Sequence, residues 1–224
     1  GINTALKNAG TKFDIIGFDA CLMATLENGL MLENYADYLI ASEETEPGVG
    51  WYYTDWVTAL SKNPSLSSLE IGKNIVDDFV STCARQCRGQ KTTLSVVDLA
   101  ELGATVPAKF SDFAKDTSGM INNGEYMAVA DARASAREFA PESRIDQVDL
   151  VHLANNIGTT ESKALAKALL NCVKYNKTST NMTNAYGIAI YFPYSNKNTV
   201  NNAVRTYEAL GMDSDYTQCL RSYS

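Results

Sequence analysis

The run Lys12 to Phe18 (KFDIIGF) constrains this chain more than any other stretch, because it is short, mostly apolar and β-rich, and stops abruptly on Asp19-Ala20-Cys21. Before it, TALKNAG reads as the end of a helix closed by Gly10, a residue that tolerates the left-handed conformation helix ends often need. After it, ATLENGLMLENYADY spaces Leu26, Leu30 and Tyr35 along one helical face, and Tyr38 to Ser42 (YLIAS) is a second strand. The acidic EETEPGVG that follows carries the proline and glycines of a loop. Strand, helix and strand in that order form a βαβ unit and call for a layered α/β arrangement.

The rest of the chain extends this pattern. Helices are expected at Thr54 to Leu60 and at Leu69 to Gln86, the second opening on serines suited to capping. Thr92 to Val97 (TTLSVV) is a third strand, with Asp98 placed to cap a helical region from Ala100 to Ala140 that breaks near Gly119 and Asn122-Asn123-Gly124. Asp149 to Asn155 and Glu161 to Lys174 are further helices, and Asn176 to Asn184 is an open loop. Gly187 to Phe192 (GIAIYF) is a fourth strand closed by Pro193, and Val200 to Leu210 a last helix. Strands separated by helices imply a mostly parallel central sheet with helices on both faces. With neither a repeat nor a domain-splitting linker, one domain over residues 1–224 is expected.

Composition narrows the function. Net charge is −7 and the Lys and Arg residues form no basic stripe, which argues against a nucleic-acid partner. No apolar stretch approaches the roughly 20 residues that cross a bilayer, so no membrane span is expected. Five cysteines in a chain of this length make no disulfide framework. Cys83 and Cys87, one helical turn apart with no second pair to complete a metal site, read as small core residues. The segment Gln86-Cys87-Arg88-Gly89 ends a helix rather than a strand, so Cys87 is no nucleophile.

Cys21 is the candidate. In open α/β sheets reactive groups gather beyond the carboxyl ends of strands. A cysteine there, ahead of a helix, would be exposed and close to a helix N-terminus that favours the thiolate, and its own N–H could face an oxyanion. A buried structural cysteine explains the position equally well. Asp19 would raise the pKa of a neighbouring thiol, so it is better read as a group that binds Arg or Lys, with a bond to nearby backbone N–H groups as the alternative.

FDIIGFDACLMATLE and YLIASEETEPGVGWYYTDW together resemble the signature of the clostripain family. TLSVVDL, VDLVHLA, AYGIAIYFPY and the Tyr-rich end resemble its later landmarks in the same order, so the resemblance spans essentially the whole chain. It implies a caspase- or haemoglobinase-like α/β fold, this chain supplying the C-terminal, heavy-chain part. It also implies a secreted or cell-surface bacterial cysteine endopeptidase, matured by internal cleavage, that forms an acyl-enzyme through a His–Cys dyad. By the DAC motif, Cys21 is the nucleophile and Asp19 a wall of the pocket for a basic residue before the scissile bond. The implied partners are a protein or peptide substrate and an upstream light-chain segment bearing the catalytic His.

Two positions depart from the family pattern. The family's histidine precedes the cysteine, whereas the only histidine here, His152, follows it among Leu150, Val151 and Leu153 and reads as a packed, hydrogen-bonded residue. Alone, the chain is expected to be inactive, and a chain lacking the dyad altogether would be a peptide-binding module. At Val49 the family commonly has an acidic residue that helps hold the basic side chain; Glu43, Glu44 or Glu46 in the same loop could substitute. No cofactor is expected, although the family resemblance leaves calcium open.

Overall fold

The βαβ start of the chain forms as its pattern demands in the computed structural model, which describes residues 1–193 and 197–224. Helix α1 (Ile2–Ala9) ends on Gly10 at φ 63°, a left-handed cap, and releases the chain into β1 (Phe13–Gly17). Helix α2 (Leu26–Leu32) is capped by the Thr25 hydroxyl, which accepts the Asn28 N–H, and β2 (Ala36–Ala41) then lies parallel to β1 with Gly17 opposite Ile40. Two helices follow, α3 (Tyr53–Lys62) and α4 (Ser68–Gln86); Ser67 and Glu70 close a reciprocal capping box at the start of α4.

Strand β3 (Thr93–Asp98) passes directly into α5 (Leu99–Met120), whose Glu101 N–H is taken by Asp98 as expected. The helix breaks at a wide turn, residues Ile121–Glu125, where Gly124 adopts φ 92°, and resumes as α6 (Tyr126–Ser135). Gly119 stays within α5. Beyond lie β4 (Glu138–Phe139), β5 (Gln147–Asp149), α7 (Leu150–Ile157), α8 (Thr160–Cys172), β6 (Val173–Thr178), β7 (Ala189–Tyr191), α9 (Lys197–Leu210) and α10 (Ser214–Tyr223). Tyr194 of the AYGIAIYFPY motif lies outside the described residues.

The strands form two sheets, in the orders β1-β2-β3-β6 and β4-β5-β7. The α/β class with helices on both faces of a central sheet holds, but the mostly parallel polarity does not: within these sheets β1 and β2 are parallel, and every other pair is antiparallel. Two helices rather than one join β2 to β3, and a chain that crosses twice re-enters at the end it left. The GIAIYF strand, β7, pairs with β5 in the smaller sheet instead of extending the central one.

Alternation along β2 and β3 sorts their side chains into two cores. Leu39 and Ala41 of β2 and Val97 of β3 face a larger core with Leu102, Val106 and Phe110 of α5 and Leu165 and Leu169 of α8. Ile40, Leu94 and Val96 point the other way, onto Ile75, Val76 and Phe79 of α4. Burial of Phe79 alone is worth about 1.5 to 3 kcal/mol. Cys83 and Cys87 are buried in this second core, as their spacing implied. Among the described residues no helix is long and apolar enough to cross a membrane.

Candidate active site

Past Gly17, one last parallel rung joins the Phe18 N–H to the Ile40 carbonyl at 2.9 Å, and then the chain turns off the sheet. Leu22 takes φ 66°, a left-handed conformation rare for a branched residue and costing about 1 kcal/mol or more. The turn is held by the loop after β2: Leu22 donates its N–H to the Glu44 carbonyl (3.2 Å) and Ala24 to the Ser42 carbonyl (2.9 Å). Cys21 sits at the crest of this turn, exposed, and its Sγ accepts the Glu46 N–H at 3.2 Å.

The expected helix N-terminus does not serve the sulfur. Helix α2 begins at Leu26, beyond a separate run of extended residues, and Thr25 answers its first turn. A single amide of the neighbouring loop takes its place, a donor able to hold a thiolate. Among the described residues no hydrogen bond takes up the Cys21 N–H. The other four thiols are buried, and burial pushes those of Cys83, Cys172 and Cys219 up to about 12.

Asp19 is exposed one residue before the turn. Its Oδ1 accepts the Trp51 N–H (3.0 Å) and its Oδ2 the Tyr53 hydroxyl (3.1 Å), so it bonds nearby backbone and still presents a carboxylate to solvent. Two glycines allow this closeness. A Cβ on Gly50, at φ 64°, would stand 3.1 Å from both Asp19 oxygens, and one on Gly17 would meet the Trp51 ring at 2.7 Å. The indole therefore packs closely on Gly17 of β1, with its Nε1–H directed at Glu46 Oε1 (3.4 Å). Burial, and next the Asp19 carboxyl, push Glu46 up to about 8. Asp19, Glu46, Trp51 and Tyr53 thus bound an acidic recess beside Cys21.

The remaining candidates separate. Glu44 is no substrate ligand: it is 1% exposed, and its Oε1 accepts N–H groups from Thr45 (2.8 Å) and Ala140 (3.1 Å). A carboxylate with that many buried donors is a brace. Glu43 is likewise buried, with Oε2 on the Gly187 N–H (2.9 Å) and its carboxyl against Asp149; burial raises both acids. Val49 is 48% exposed in the loop before Trp51 and contributes no charge. His152 is half-buried; its Nδ1 accepts the Arg137 N–H (2.9 Å) and its ring packs edge-on against Tyr186, so its bonds are structural and none reaches Cys21. Burial and Arg137 hold its pKa down.

Sequence reasoning missed Trp51, Tyr53 and the Glu46 amide. The aromatic run WYYTDW directly after the Pro-Gly loop was the available signal for the first two; a backbone donor leaves none. A crevice of about 490 Å³ around the end of α4, lined by Cys83, Cys87, Arg88 and Asn181, lies away from this chemistry, since neither Cys21 nor Asp19 lines it. Among the described residues no three His, Cys, Asp or Glu side chains are arranged to hold a metal ion.

A family model described as the clostripain family, Peptidase_C11, matches residues 1–223. A clostripain from Bacteroides thetaiotaomicron, solved with the peptide inhibitor BTN-VLTK-AOMK, shares 18% identity over 99% of this chain and 92% of that one, with a TM-score of 0.66. An inactive zymogen C11 protease from Parabacteroides distasonis superposes over 92% of this chain and 60% of that one at 17% identity and TM-score 0.69. A secreted C11 cysteine protease from Bacteroides thetaiotaomicron, solved with an irreversible peptide inhibitor, is 24% identical over 93% of this chain and 61% of that one, with a TM-score of 0.63. A search of curated protein sequences gave no significant match.

Proposed function

This chain belongs to the clostripain family of cysteine peptidases, and we propose that it is an endopeptidase that cuts after Arg or Lys. The observation that carries the reading is the exposed Cys21 thiol, held by the Glu46 N–H, immediately beside the Asp19 carboxylate. A basic side chain seated on Asp19 brings the following carbonyl carbon to the sulfur. The Cys21 thiolate attacks, a C–S bond forms, and the developing oxyanion turns to the Cys21 N–H. As the tetrahedral species collapses, the C–N bond breaks and a histidine protonates the leaving amine. Water then attacks the thioester, freeing the acid and restoring the thiol.

That histidine comes from an upstream segment, in this reading. His152 is already committed to Arg137, and among the described residues β1 has a partner strand on one side only, an edge where a further strand fits. The zymogen neighbour, longer than this chain, supports maturation by cleavage, and the secreted neighbour supports an extracellular site of action. The peptide inhibitors held by two neighbours favour a peptide substrate.

The test is the complete precursor, with and without Cys21→Ala, assayed on fluorogenic peptides ending in Arg, Lys or Phe. Turnover after Arg and Lys that disappears with Cys21→Ala is expected; equal turnover by the two forms would end the assignment.

A further inference from the structure

The recess and the nucleophile share one residue. Glu46 gives its backbone N–H to Cys21 Sγ, while its carboxyl group turns into the recess against Asp19. There Oε1 takes the Trp51 indole N–H, and Oε2 is shut off from water without a hydrogen-bond partner. Among the described residues neither Asp19 nor Glu46 has an ion-pair partner. The titratable groups that face Glu46 are Asp19 and Cys21 from the loop after β1, Tyr53 from α3 and Cys83 from α4, and none of them is a cation. Burial, and next the Asp19 carboxyl, favour the protonated form of Glu46.

Resting on the basic specificity proposed above, we infer that Glu46 is a second specificity residue, and that a guanidinium or ammonium group enters the recess in exchange for the proton that the Glu46 carboxyl holds. The charge of the recess is the same before and after: one negative charge with the proton, and two carboxylates plus one cation without it. The displaced proton goes to solvent. Glu46 thereby supplies the charge that Val49 lacks, from a position where its own amide already fixes the sulfur. Because Glu46 stays protonated up to about pH 8, binding below that pH must release the proton, so affinity rises with pH and levels off above it. A neutral isostere has no such dependence.

The experiment follows the indole resonance of Trp51 in the complete protein carrying isotope-labelled tryptophan, during titration with n-propylguanidine and with n-propylurea. In the native protein the affinity for n-propylguanidine should rise by nearly tenfold per pH unit from about pH 6 towards about pH 8 and then flatten. Calorimetry in two buffers of different ionisation heat should record close to one proton released at the lower end. Glu46→Gln should bind independently of pH, and Asp19→Asn should lose binding, with the far-ultraviolet circular dichroism of each variant matching the native protein. A native affinity that depends on Asp19 but stays flat with pH, or a slope retained by Glu46→Gln, overturns the proton exchange and leaves basic specificity standing. If n-propylguanidine binds no better than n-propylurea at any pH, basic specificity falls, and this inference with it.

Discussion

Replacing His152 separates a structural histidine from a catalytic one, because the two roles predict effects of different size and kind. The ring accepts one backbone N–H, that of Arg137 at 2.9 Å, and rests half-buried on Tyr186. His152→Ala leaves that amide without an acceptor, a loss of about 1 to 3 kcal/mol in stability. His152→Asn restores an acceptor at similar reach and should recover much of it. Neither change touches Cys21 or Asp19, so kcat/KM of folded enzyme should change by less than about threefold. General acid–base catalysis contributes about 100- to 10,000-fold. Urea unfolding at neutral pH gives the first quantity, and turnover of an Arg-terminated peptide below the unfolding transition gives the second. The pH dependence adds a signature. Burial lowers this pKa in the folded state, so the unfolded chain binds more protons near pH 6.5, and stability falls as pH drops through that value. His152→Asn should remove that contribution. A drop in kcat of a hundredfold or more with an unchanged unfolding midpoint would refute the structural assignment.

Three further outcomes follow from the same geometry. Brief iodoacetamide treatment of the native protein should label Cys21, with Cys83, Cys87, Cys172 and Cys219 reacting only in denaturant; mass spectrometry of the digest reads this directly. Gly17→Ala drives a methyl group into the Trp51 ring, so it should displace the indole, raise KM for Arg peptides several-fold and lower kcat less. Glu43→Gln should raise stability at alkaline pH relative to the native protein. Both Glu43 and Asp149 are raised by burial, so their contribution is present at low pH and lost as pH climbs through the folded values; urea midpoints across pH would show no relative gain if the pair is already ionised.

Much of this was legible in the residues, and the rest was not for identifiable reasons. The β1-α2-β2 unit, the α4 cap and the Asp98 cap each carry a local signal, and they form where that signal lies. Strand β6 falls between an expected helix and an expected loop, because VKYNKT follows α8 with neither Gly nor Pro to mark the change and its partner β3 is far away in sequence. Strands of two or three residues, such as β4 and β5, are made by pairing alone. At the site, Cys21 and Asp19 were readable from a motif at a strand end. Which of the three loop glutamates faces the recess was not, since Glu43, Glu44 and Glu46 differ by burial, which composition does not encode.

The loop from Ser42 to Glu46 belongs to both sheets at once. Glu43 grips Gly187 just ahead of β7, Glu44 grips Ala140 just past β4, and two residues later an amide steadies the thiol. The sulfur's orientation is therefore a local gauge of how the small sheet seats on the large one. Damage far from any peptide, in β4, β5 or β7, should surface as sluggish alkylation at Cys21 well before the protein loses its fold.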